Sequence, residues 1–555
     1  MSRTGVYGHV FLALLSVIAA CGSTLASGRS IFNVRDFGAT GVKSDDGRPA
    51  IQKAIDACAA AGGGEVYLPA GEYTSGTLRL RSHVRIYVDA GATLFGSTDP
   101  QDFNGEPIAS QAALFYGEGI ENISIEGRGT VDGQAKYDWR LDDPADMSDS
   151  FIRPAKRLMK SLGKPLMRDF PEGYPRRTVY PHLVYLGHCK DVRISGISLL
   201  HSQSWTIAMY ATERVVVDGI YIHTNLEEAV WCDGIDMDGC KNIRIANSTI
   251  ETGDDCIIFI SYNAWGPALP TENVTVSNCR LSSSATAIKF SEANAKGVRN
   301  VVIDNCVITN SSEGISFSVS DGGFVSDVEI SNLTIALRRF DWYHVQGTQG
   351  GAIVFLLLSR AEWEDRPPRK GEPEPGVVRN VTIRNVIAHS MGPSNLDGNP
   401  NHPIEGLTLE NIKLFMSSDP SAAYDVTTHA MRITHARNLK LKGIEVGWEK
   451  PTLDKWQSAL DLEDVQGVVV DGFSGRQAWP QAAYPAIAFQ NVSHAIIRNS
   501  VAEEGTGVFL KVSGDRSRDF WLYGNDLRNA KVPYQVAPDA KTAKPILTQN
   551  LTAVQ

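Results

Sequence analysis

Three aspartates fall in two glycine-flanked turns that lie close together in the chain. Asp233 belongs to the stretch WCDGIDMDG, and Asp254 and Asp255 belong to ETGDDCIIFI. Ionised carboxyl groups held side by side repel one another, so at least one should bind its proton more tightly than a free aspartate does. A proton donor beside ionised bases is what glycoside hydrolysis requires. The same three carboxylates would also suit a calcium ion, which takes oxygen ligands.

Apolar pairs that follow these turns predict how the aspartates are arranged. The pairs Ile235/Met237, Ile257/Phe259, Ile288/Phe290 and Ile315/Phe317 superimpose as inward-facing positions of neighbouring strands. In this register Asp233 lies beside Asp255, about 4.8 Å away at one strand spacing. The column continues through Thr286 and Glu313, while Asp254 shares a row with Cys232, Ala285 and Ser312.

A short unit that recurs along the chain indicates the scaffold. Alternating β-branched residues, a polar residue, Asn or Gly and a second apolar pair recur at spacings of 23 to 32 residues, with one interval of 53 that would fit two turns. The repeated position is occupied by Gly196, Gly219, Asn247, Asn278, Asn305, Asn332, Asn385, Asn411, Gly443, Gly472 and Asn499. Each unit is too short to bury its own apolar face, but stacked units bury a continuous core. This predicts an all-β, right-handed parallel β-helix; leucine-rich and propeller signatures are lacking.

The repeated Asn and Gly suit a corner because both accept left-handed backbone dihedrals, and stacked Asn side chains can bond one another. This structural role is the first explanation of Asn-x-Ser/Thr triplets such as the one at Asn273, and glycosylation is the weaker explanation. Ahead of the coils, Asp46 can cap a helix that carries Ile51, Ala54, Ile55 and Cys58 on one side. We expect that helix to plug the open end of the solenoid.

The N-terminal segment predicts export. Residues 1–27 have the early Arg, short apolar run and small residues of a signal peptide. The stretch IAAC resembles a lipoprotein box that would leave a lipid anchor on Cys21, whereas TLAS offers cleavage after Ala26. The domains expected are the signal peptide (1–27), an N-terminal cap with the first coils (28–118) and a catalytic β-helix (119–545), with loop insertions near 133–180 and 338–376. The product would be secreted, periplasmic or on the outer surface.

Composition limits the classes of molecule that the protein is expected to bind. The formal net charge of −10 argues against nucleic acid as a ligand, and the seven cysteines after Cys21 fit neither a zinc pattern nor a full set of disulfides. We expect a monomer that acts on a polysaccharide or oligosaccharide.

The stretches DGIDMDGCKNIRI…TGDDCI, FNVRDFGATG…AIQKAIDAC…GGGEVYLPAGEY and HPIEGLTLENI resemble glycoside hydrolase family 28, the polygalacturonase-like pectinases, over about Phe32 to Leu414. The resemblance implies an inverting hydrolase that needs no metal or cofactor. It makes Asp254 the acid and Asp233 and Asp255 the bases. Inversion needs roughly 6.5–9.5 Å between acid and base.

Three departures from the family pattern concern substrate recognition. Trp231-Cys232-Asp233 replaces Asn-Thr-Asp, Ser284-Ala285-Thr286 replaces Gly-His-Gly, and Ser316 and Ser318 replace the Arg and Lys that grip a uronate carboxylate. Hydrolysis with altered recognition is therefore expected, because catalysis and substrate binding are separable parts of a site.

Other residues are candidates for substrate binding. Lys289 faces outward one coil above Asp255 and could replace the lost cation, or could be a solvated strand residue. The remaining candidates are Asp236, Glu313, His223, Arg338 and Trp342, the last two in the stretch RRFDWYHVQG, where aromatic and cationic side chains could hold an acidic sugar. Trp205 could stack on a sugar or pack.

Two further functional classes stay open. One is a calcium-dependent polysaccharide lyase on the same fold, for which Lys289 would be the base. The other is a non-catalytic glycan-binding β-helix.

Overall fold

A computed structural model describes residues 30–103, 109–135, 181–229, 231–340, 350–363, 366–418, 427–450, 452–480 and 482–553. Within these residues the chain winds into a parallel β-helix in which strands of successive coils pair side by side. Ile235 pairs with Ile257 and Ile257 with Ile288, so the predicted register is confirmed. Parallel crossover connections are right-handed. The leader 1–27 with Cys21, and residues 136–180 of the first predicted loop, lie outside the described residues.

The strands form three faces, the first of which is called the site face. The site face contains Leu78–Arg79, Ala113–Glu118, His182–Gly187, Ile207–Tyr210, Ile235–Asp238, Ile257–Ser261, Thr286–Asn294, Glu313–Ser318, Ile353–Leu356, Ser394–Asp397, Pro485–Gln490, Val508–Ser513 and Val532–Val536. The second face contains Ile31–Asn33, Gly64–Leu68, Val84–Val88, Glu121–Gly127, Lys190–Ser195, Glu213–Asp218, Lys241–Ala246, Thr271–Ser277, Ile404–Glu405, Ser493–Arg498, Arg518–Tyr523 and Ile546–Thr548.

The third face contains Gly71–Ser75, Ala92–Gly96, Thr130–Asp132, Ser198–Leu200, Tyr221–His223, Thr249–Thr252, Arg280–Ser283, Ser474–Gly475, Val501–Ala502, Asp526–Leu527 and Leu551–Thr552. Some strands turn a corner without interruption. Val298–Ser311, Phe324–Leu337, Val377–Ser390 and Thr408–Met416 join the second and third faces, Leu460–Asp471 joins the first and second, and Met431–Trp448 contributes to all three.

Side chains that point into the solenoid stack in columns. Phe259, Phe290, Phe317 and Phe355 follow one another at ring-centroid distances of 4.6, 4.3 and 4.3 Å. Because these positions alternate with outward ones, the residues between them face away from the core. The core therefore fixes which side chains the site face presents.

Asparagines form a hydrogen-bonded ladder at the corner, as predicted. Asn278 has φ of +56° and donates to Asn247 Oδ1 at 3.2 Å, and Asn305 donates to Asn278 Oδ1 at 2.7 Å. A second ladder, not predicted, joins Asn300 to Asn273 and Asn273 to Asn242.

The interval of 53 residues is one coil, so its interpretation as two turns is wrong. Asn385 donates to Asn332 Oδ1 at 3.0 Å, which makes them neighbours in the ladder. The strand Ile353–Leu356 lies within the predicted loop 338–376 and pairs with Glu313–Ser318. One insertion before this strand and one after it account for the extra length.

Helix α1 (Arg48–Ala60) covers the first coil and buries Ile51, Ala54, Ile55 and Cys58, as predicted. Asp46 accepts a hydrogen bond from Arg48 N at 3.0 Å, although the N-cap residue itself is Gly47. A second helix, α2, spans Arg360–Trp363, and short 3-10 helices span Val34–Phe37, Pro100–Phe103 and Ala109–Gln111. Among the described residues, no helix combines the length and apolar character needed to cross a bilayer.

Candidate active site

A rigid turn presents Asp254 and Asp255 at the edge of the site face. The hydroxyls of Thr252 and Ser283 both donate to the Asp254 carbonyl, at 2.8 and 2.6 Å. Gly253 N donates to Thr224 Oγ1 at 2.8 Å. A side chain at Gly253 would meet the Ala229 carbonyl oxygen at 2.3 Å, so only glycine fits there. The turn that carries both carboxylates is thus held by its neighbours on both sides.

The three aspartates converge as predicted. Asp233 Oδ1 accepts a hydrogen bond from Asp255 N at 2.9 Å, and Asp254 Oδ2 accepts one from Trp231 N at 3.1 Å. Asp255 Oδ1 accepts from Thr286 N at 3.0 Å. One carboxylate oxygen of each aspartate lies within 4.8 Å of the others, and all three side chains are buried.

The gap between carboxyl groups bears on whether the anomeric carbon is inverted or retained. Inverting hydrolases usually separate their carboxyl groups by roughly 6.5–9.5 Å, and retaining ones by roughly 5–5.5 Å. The value of 4.8 Å is an upper limit on the spacing of one oxygen from each aspartate, so it does not select between these two ranges of carboxyl separation. It is also short enough for the three carboxylates to share one divalent cation.

Burial and mutual repulsion keep protons on this cluster. Burial raises the pKa of Asp233 well above its usual range, and Asp254, Asp236 and Asp255 raise it further, while Lys289 lowers it. Burial and the charge of Asp255 likewise raise the pKa of Asp236 well above its usual range. The cluster therefore binds a transferable proton more tightly than a free aspartate does.

Lys289 lies at the cluster, on the outward side of its strand, as predicted. Its Nζ is 3.0 Å from Asp255 Oδ2 and 3.4 Å from Glu292 Oε2. Although burial disfavours its charge, Asp255 and Glu292 hold the pKa of Lys289 well above its usual range. Lys289 is thus a partner of the clustered carboxylates, and its charge is already neutralised.

Asp236 occupies the outward position two strands before Lys289 in the same row. It pairs with Ile258, which in turn pairs with Lys289. Its side chain is fully buried, and a hydrogen bond with the carboxyl of Asp233 opposes the rise of its pKa. A buried carboxylate normally accepts several hydrogen bonds.

Glu313 and the two serines lie on the coil beyond Lys289. Glu313 pairs with Thr286 and accepts a bond from its hydroxyl at 3.4 Å, so it lies in the predicted column. Ser316 pairs with Lys289, and its hydroxyl is 3.5 Å from that of Ser318. The two family positions for cations therefore carry buried hydroxyls.

The remaining candidates for substrate binding are His223, Arg338 and Trp342. His223 lies on the third face, where its Nδ1 is 3.1 Å from Glu251 Oε2. Arg338 pairs with Glu227, in the loop that leads towards Asp233, at 2.5 Å, and stacks on Phe340 at 3.8 Å. Trp342 lies outside the described residues, as do Tyr343 and His344.

An aromatic cluster covers the site face one coil before Asp236. Trp265 packs edge-on against Tyr185 and Tyr210, with ring centroids 5.2 and 6.4 Å apart, and its indole N–H donates to Ser110 Oγ at 2.9 Å. Trp205 packs against Trp265 at 5.4 Å, which favours the packing interpretation of this residue. Ala208, the neighbour of Asp236 in its row, is fully buried in the same cluster.

Sequence reasoning missed Glu292 and Trp265. Glu292 lies where the pairing of Ile257–Ser261 with Thr286–Asn294 shifts register. Such a shift cannot be read from the alternation of apolar and polar residues. Trp265 lies in a loop, and the only available signal was an isolated aromatic residue after a strand. Both depend on contacts between distant parts of the coil.

Comparison with known proteins agrees with this geometry. The family described as glycosyl hydrolases family 28 matches residues 173–343, and that described as rhamnogalacturonase A/epimerase, pectate lyase-like, matches residues 31–242. A probable polygalacturonase of Vitis vinifera is 24% identical over 405 residues, which cover 69% of this chain and 74% of that protein. The chain resembles the polygalacturonase-like hydrolases of glycoside hydrolase family 28.

Further relatives are similar to the chain over part of its length. The exo-poly-alpha-D-galacturonosidase of Dickeya chrysanthemi is 27% identical over 259 residues, 41% of this chain and 42% of that protein. The solved structure of a family 28 exopolygalacturonase from Yersinia enterocolitica has a TM-score of 0.60 at 22% identity, covering 80% of this chain and 79% of that one. The β-helix fold is therefore shared with this solved structure.

Proposed function

We propose that the protein is an exported glycoside hydrolase that cleaves a pectin-like or related polysaccharide with Asp233, Asp254 and Asp255. The observation that carries this is the convergence of three buried carboxylates within 4.8 Å. The relatives named polygalacturonase support a glycan of the pectin class. Export rests on the leader sequence, and finding the mature protein in the periplasm, on the cell surface or in the medium would test it.

In the proposed reaction, Asp254 gives its proton to the glycosidic oxygen as the bond from that oxygen to the anomeric carbon breaks. Water attacks the anomeric carbon and loses a proton to the bases Asp233 and Asp255. Lys289 and the Thr286 N–H both bond Asp255, which favours its ionised form. The N–H of Trp231 orients Asp254.

Inversion of the anomeric carbon is what the resemblance to family 28 implies, and retention is the second outcome. Retention would use one aspartate as a nucleophile that forms a covalent glycosyl intermediate. The two outcomes differ in the anomer first released. The product anomer is therefore the decisive observation.

Action at a chain end is the mode that the site supports. Outward positions on both sides of the aspartates are buried, with Ala208 and Tyr185 on one side and Ser316 and Val354 on the other. A polymer that continued in both directions along the site face would need these positions to be open. The relatives named exo-poly-alpha-D-galacturonosidase and exopolygalacturonase agree with this mode.

The test is hydrolysis of pectic and related oligosaccharides, followed by NMR of the first anomer and by product length, for the wild type and Asp254→Asn. We expect short products from one end and a loss of about 10²-fold or more in kcat for the variant on unactivated glycosides. An unsaturated product that disappears with a chelator would instead indicate a lyase. Binding without any cleavage across the panel would indicate a non-catalytic glycan-binding protein.

A further inference from the structure

A groove lies at the opposite edge of the site face from the three aspartates. The aspartates precede their site-face strands, whereas this groove lies where later coils pass from the site face into the second face. Its volume of about 490 Å³ is within the usual range of small-molecule sites. Four strand pairings separate the strand of Lys289 from Met431–Trp448, which lines the groove. The groove therefore begins about 19 Å along the solenoid from Lys289.

One row of paired residues on the second face runs through the groove. Arg437 pairs with Gln466 across neighbouring strands. Gln466 pairs with Ser493, and Ser493 pairs with Arg518. All four residues line the groove, and Arg437, Gln466 and Arg518 are exposed. Three strand spacings put the Cα atoms of Arg437 and Arg518 about 14 Å apart, with the amide of Gln466 between them.

The two arginines of this row keep donors for a ligand. Within the described part of the chain, the guanidinium group of Arg437 has no hydrogen-bond or ion-pair partner, although Glu405 is its neighbour in the row. Arg518 donates to the Arg516 carbonyl at 3.4 Å, and its Nε is 3.9 Å from Asp519 Oδ2. Its side chain is still 51% exposed. Both guanidinium groups are thus accessible and only weakly compensated.

The same row is compensated on earlier coils. Glu272 pairs with Lys241 on one side and with Arg299 on the other. Its carboxylate lies 3.5 Å from the Lys241 ammonium and 2.6 Å from the Arg299 guanidinium. In the groove, the uncharged Gln466 and Ser493 occupy the positions between the cations. The alternation of acids and bases therefore stops at the groove.

The lining of the groove is positively charged on a protein whose formal net charge is −10. Arg437, Arg516 and Arg518 line it against one acid, Asp464, which gives a net charge of +2 when His435 is neutral. Asp464 bonds the guanidinium group of Arg516 and lies 3.6 Å from His435 Nδ1. The charges of Arg437 and Arg518 are left to attract an anion locally.

The spacing of the two arginines limits the ligand. A guanidinium group binds a carboxylate through two parallel hydrogen bonds. A ligand that engages both Arg437 and Arg518 must carry acidic groups about 14 Å apart, so a single small anion is too short. The Gln466 amide can bond hydroxyl groups that lie between the acidic groups. A short chain of acidic sugars has carboxylates along its length and hydroxyls between them.

We propose that this groove, called the arginine groove (Arg437, Gln466, Arg516 and Arg518), binds an acidic oligosaccharide segment, with one uronate carboxylate on Arg437 and another on Arg518. It is a binding site that lies apart from the aspartates. The choice of uronates over other polyanions rests on the proposed function, which takes a glycan of the pectin class. A polymer held in the groove would have a higher effective concentration at the aspartates.

Titration calorimetry with tetrameric oligogalacturonate tests the groove in the Asp254→Asn background, which prevents hydrolysis. We expect the added pair Arg437→Gln and Arg518→Gln to remove one binding site per chain or to weaken it by about 10²-fold, because each charged hydrogen bond contributes about tenfold or more. Arg244→Gln is the matched control, since Arg244 is an exposed arginine of an earlier coil on the same face. Unchanged binding in the double variant, or equal weakening by Arg244→Gln, would overturn the inference.

Two further ligands test the chemistry of the bound group. The same tetramer with its carboxyl groups reduced to primary alcohols should not occupy the groove, because the arginines then have no anion to bind. A single-stranded DNA oligonucleotide of equal charge should bind at least about tenfold more weakly, because its phosphates lack the planar carboxylate and the sugar hydroxyls. Equal binding of the reduced tetramer, or tighter binding of DNA, would refute an acidic-sugar site.

Kinetics separate this inference from the proposed hydrolase. Arg437→Gln with Arg518→Gln should leave kcat/KM unchanged on a dimer and lower it by about tenfold on polymeric polygalacturonate, because only the polymer reaches both sites. An equal loss on both substrates would mean that the arginines act through the fold and would refute the groove. If no glycan is cleaved in an Asp254-dependent way, the proposed function fails, and loss of the calorimetric site would still support the groove.

Discussion

At the scale of single residues, the site lacks the Arg and Lys of the family 28 pattern but contains a different cation, Lys289. The sequence predicted that Lys289 faces outward one coil above Asp255, and this is confirmed. Its role as a clamp for an acidic sugar is not what its contacts favour, because Asp255 and Glu292 already bond its ammonium group. We interpret Lys289 as a positioning residue that sets the protonation of the aspartates.

Replacing Lys289 should therefore shift the pH profile of catalysis. Lys289 lowers the pKa of Asp233, which burial raises, so Lys289→Met removes the lowering contribution. If Asp233 acts as a base, it must be ionised, and the acidic limb of the kcat/KM profile should move to higher pH. We also expect kcat to fall by about 10²-fold. Lys289→Arg keeps the charge and should shift the profile less; movement of the basic limb instead would make Asp233 the acid.

At the scale of structural elements, the corner asparagines do what the sequence predicted of them. Asn278 adopts φ of +56° and bonds both neighbours in the ladder. The one error in the repeat, the interval of 53 residues, arose because a coil with long insertions has the same length as two ordinary coils. Spacing alone cannot separate these cases, whereas the bond between Asn385 and Asn332 does.

The ladder makes a prediction about stability that is independent of catalysis. Asn278→Ala should lower the free energy of unfolding by about 2 kcal/mol, since it loses two exposed hydrogen bonds and places a Cβ in a left-handed conformation. Asn278→Gly keeps the conformation accessible and should cost about 1 kcal/mol. Denaturant titration measures both. Equal losses in the two variants would show that the backbone conformation contributes nothing, and activity should be unchanged in each.

At the scale of the whole molecule, the sequence predicted what repeats and missed what does not. The parallel β-helix, α1 and the register of Asp233 with Asp255 all follow from periodic apolar residues, which the core enforces in every coil. Glu292, Trp265 and the cover over Ala208 come from a register shift and a loop, where no period exists to read. These irregular parts determine which outward positions of the site face are covered, so the fold was predictable where the surroundings of the aspartates were not.

Acids buried inside the stacked solenoid should also make the free energy of unfolding depend on pH. Burial raises the pKa of Asp238 to about 7, against the opposing hydrogen bond from Tyr262 N. Unfolded Asp has a pKa of about 3.9, so the folded state binds more protons between about pH 4 and pH 7. Stability from this group is therefore present below about pH 4 and is lost as pH rises to about 7, by at most about 4 kcal/mol.

Asp238→Asn should remove that loss, so its melting temperature relative to the wild type should be higher at pH 8 than at pH 5. The variant is compared with the wild type because His182 changes the stability in the opposite direction. Burial lowers the pKa of His182 to about 4, so the stability that its neutral form contributes is lost as pH falls from about 6.5. Glu72→Gln, which removes an exposed acid, is the control and should show no such difference. A relative melting temperature independent of pH would mean that Asp238 is not protonated in the folded protein at pH 5, and that the buried face of the solenoid tolerates its charge.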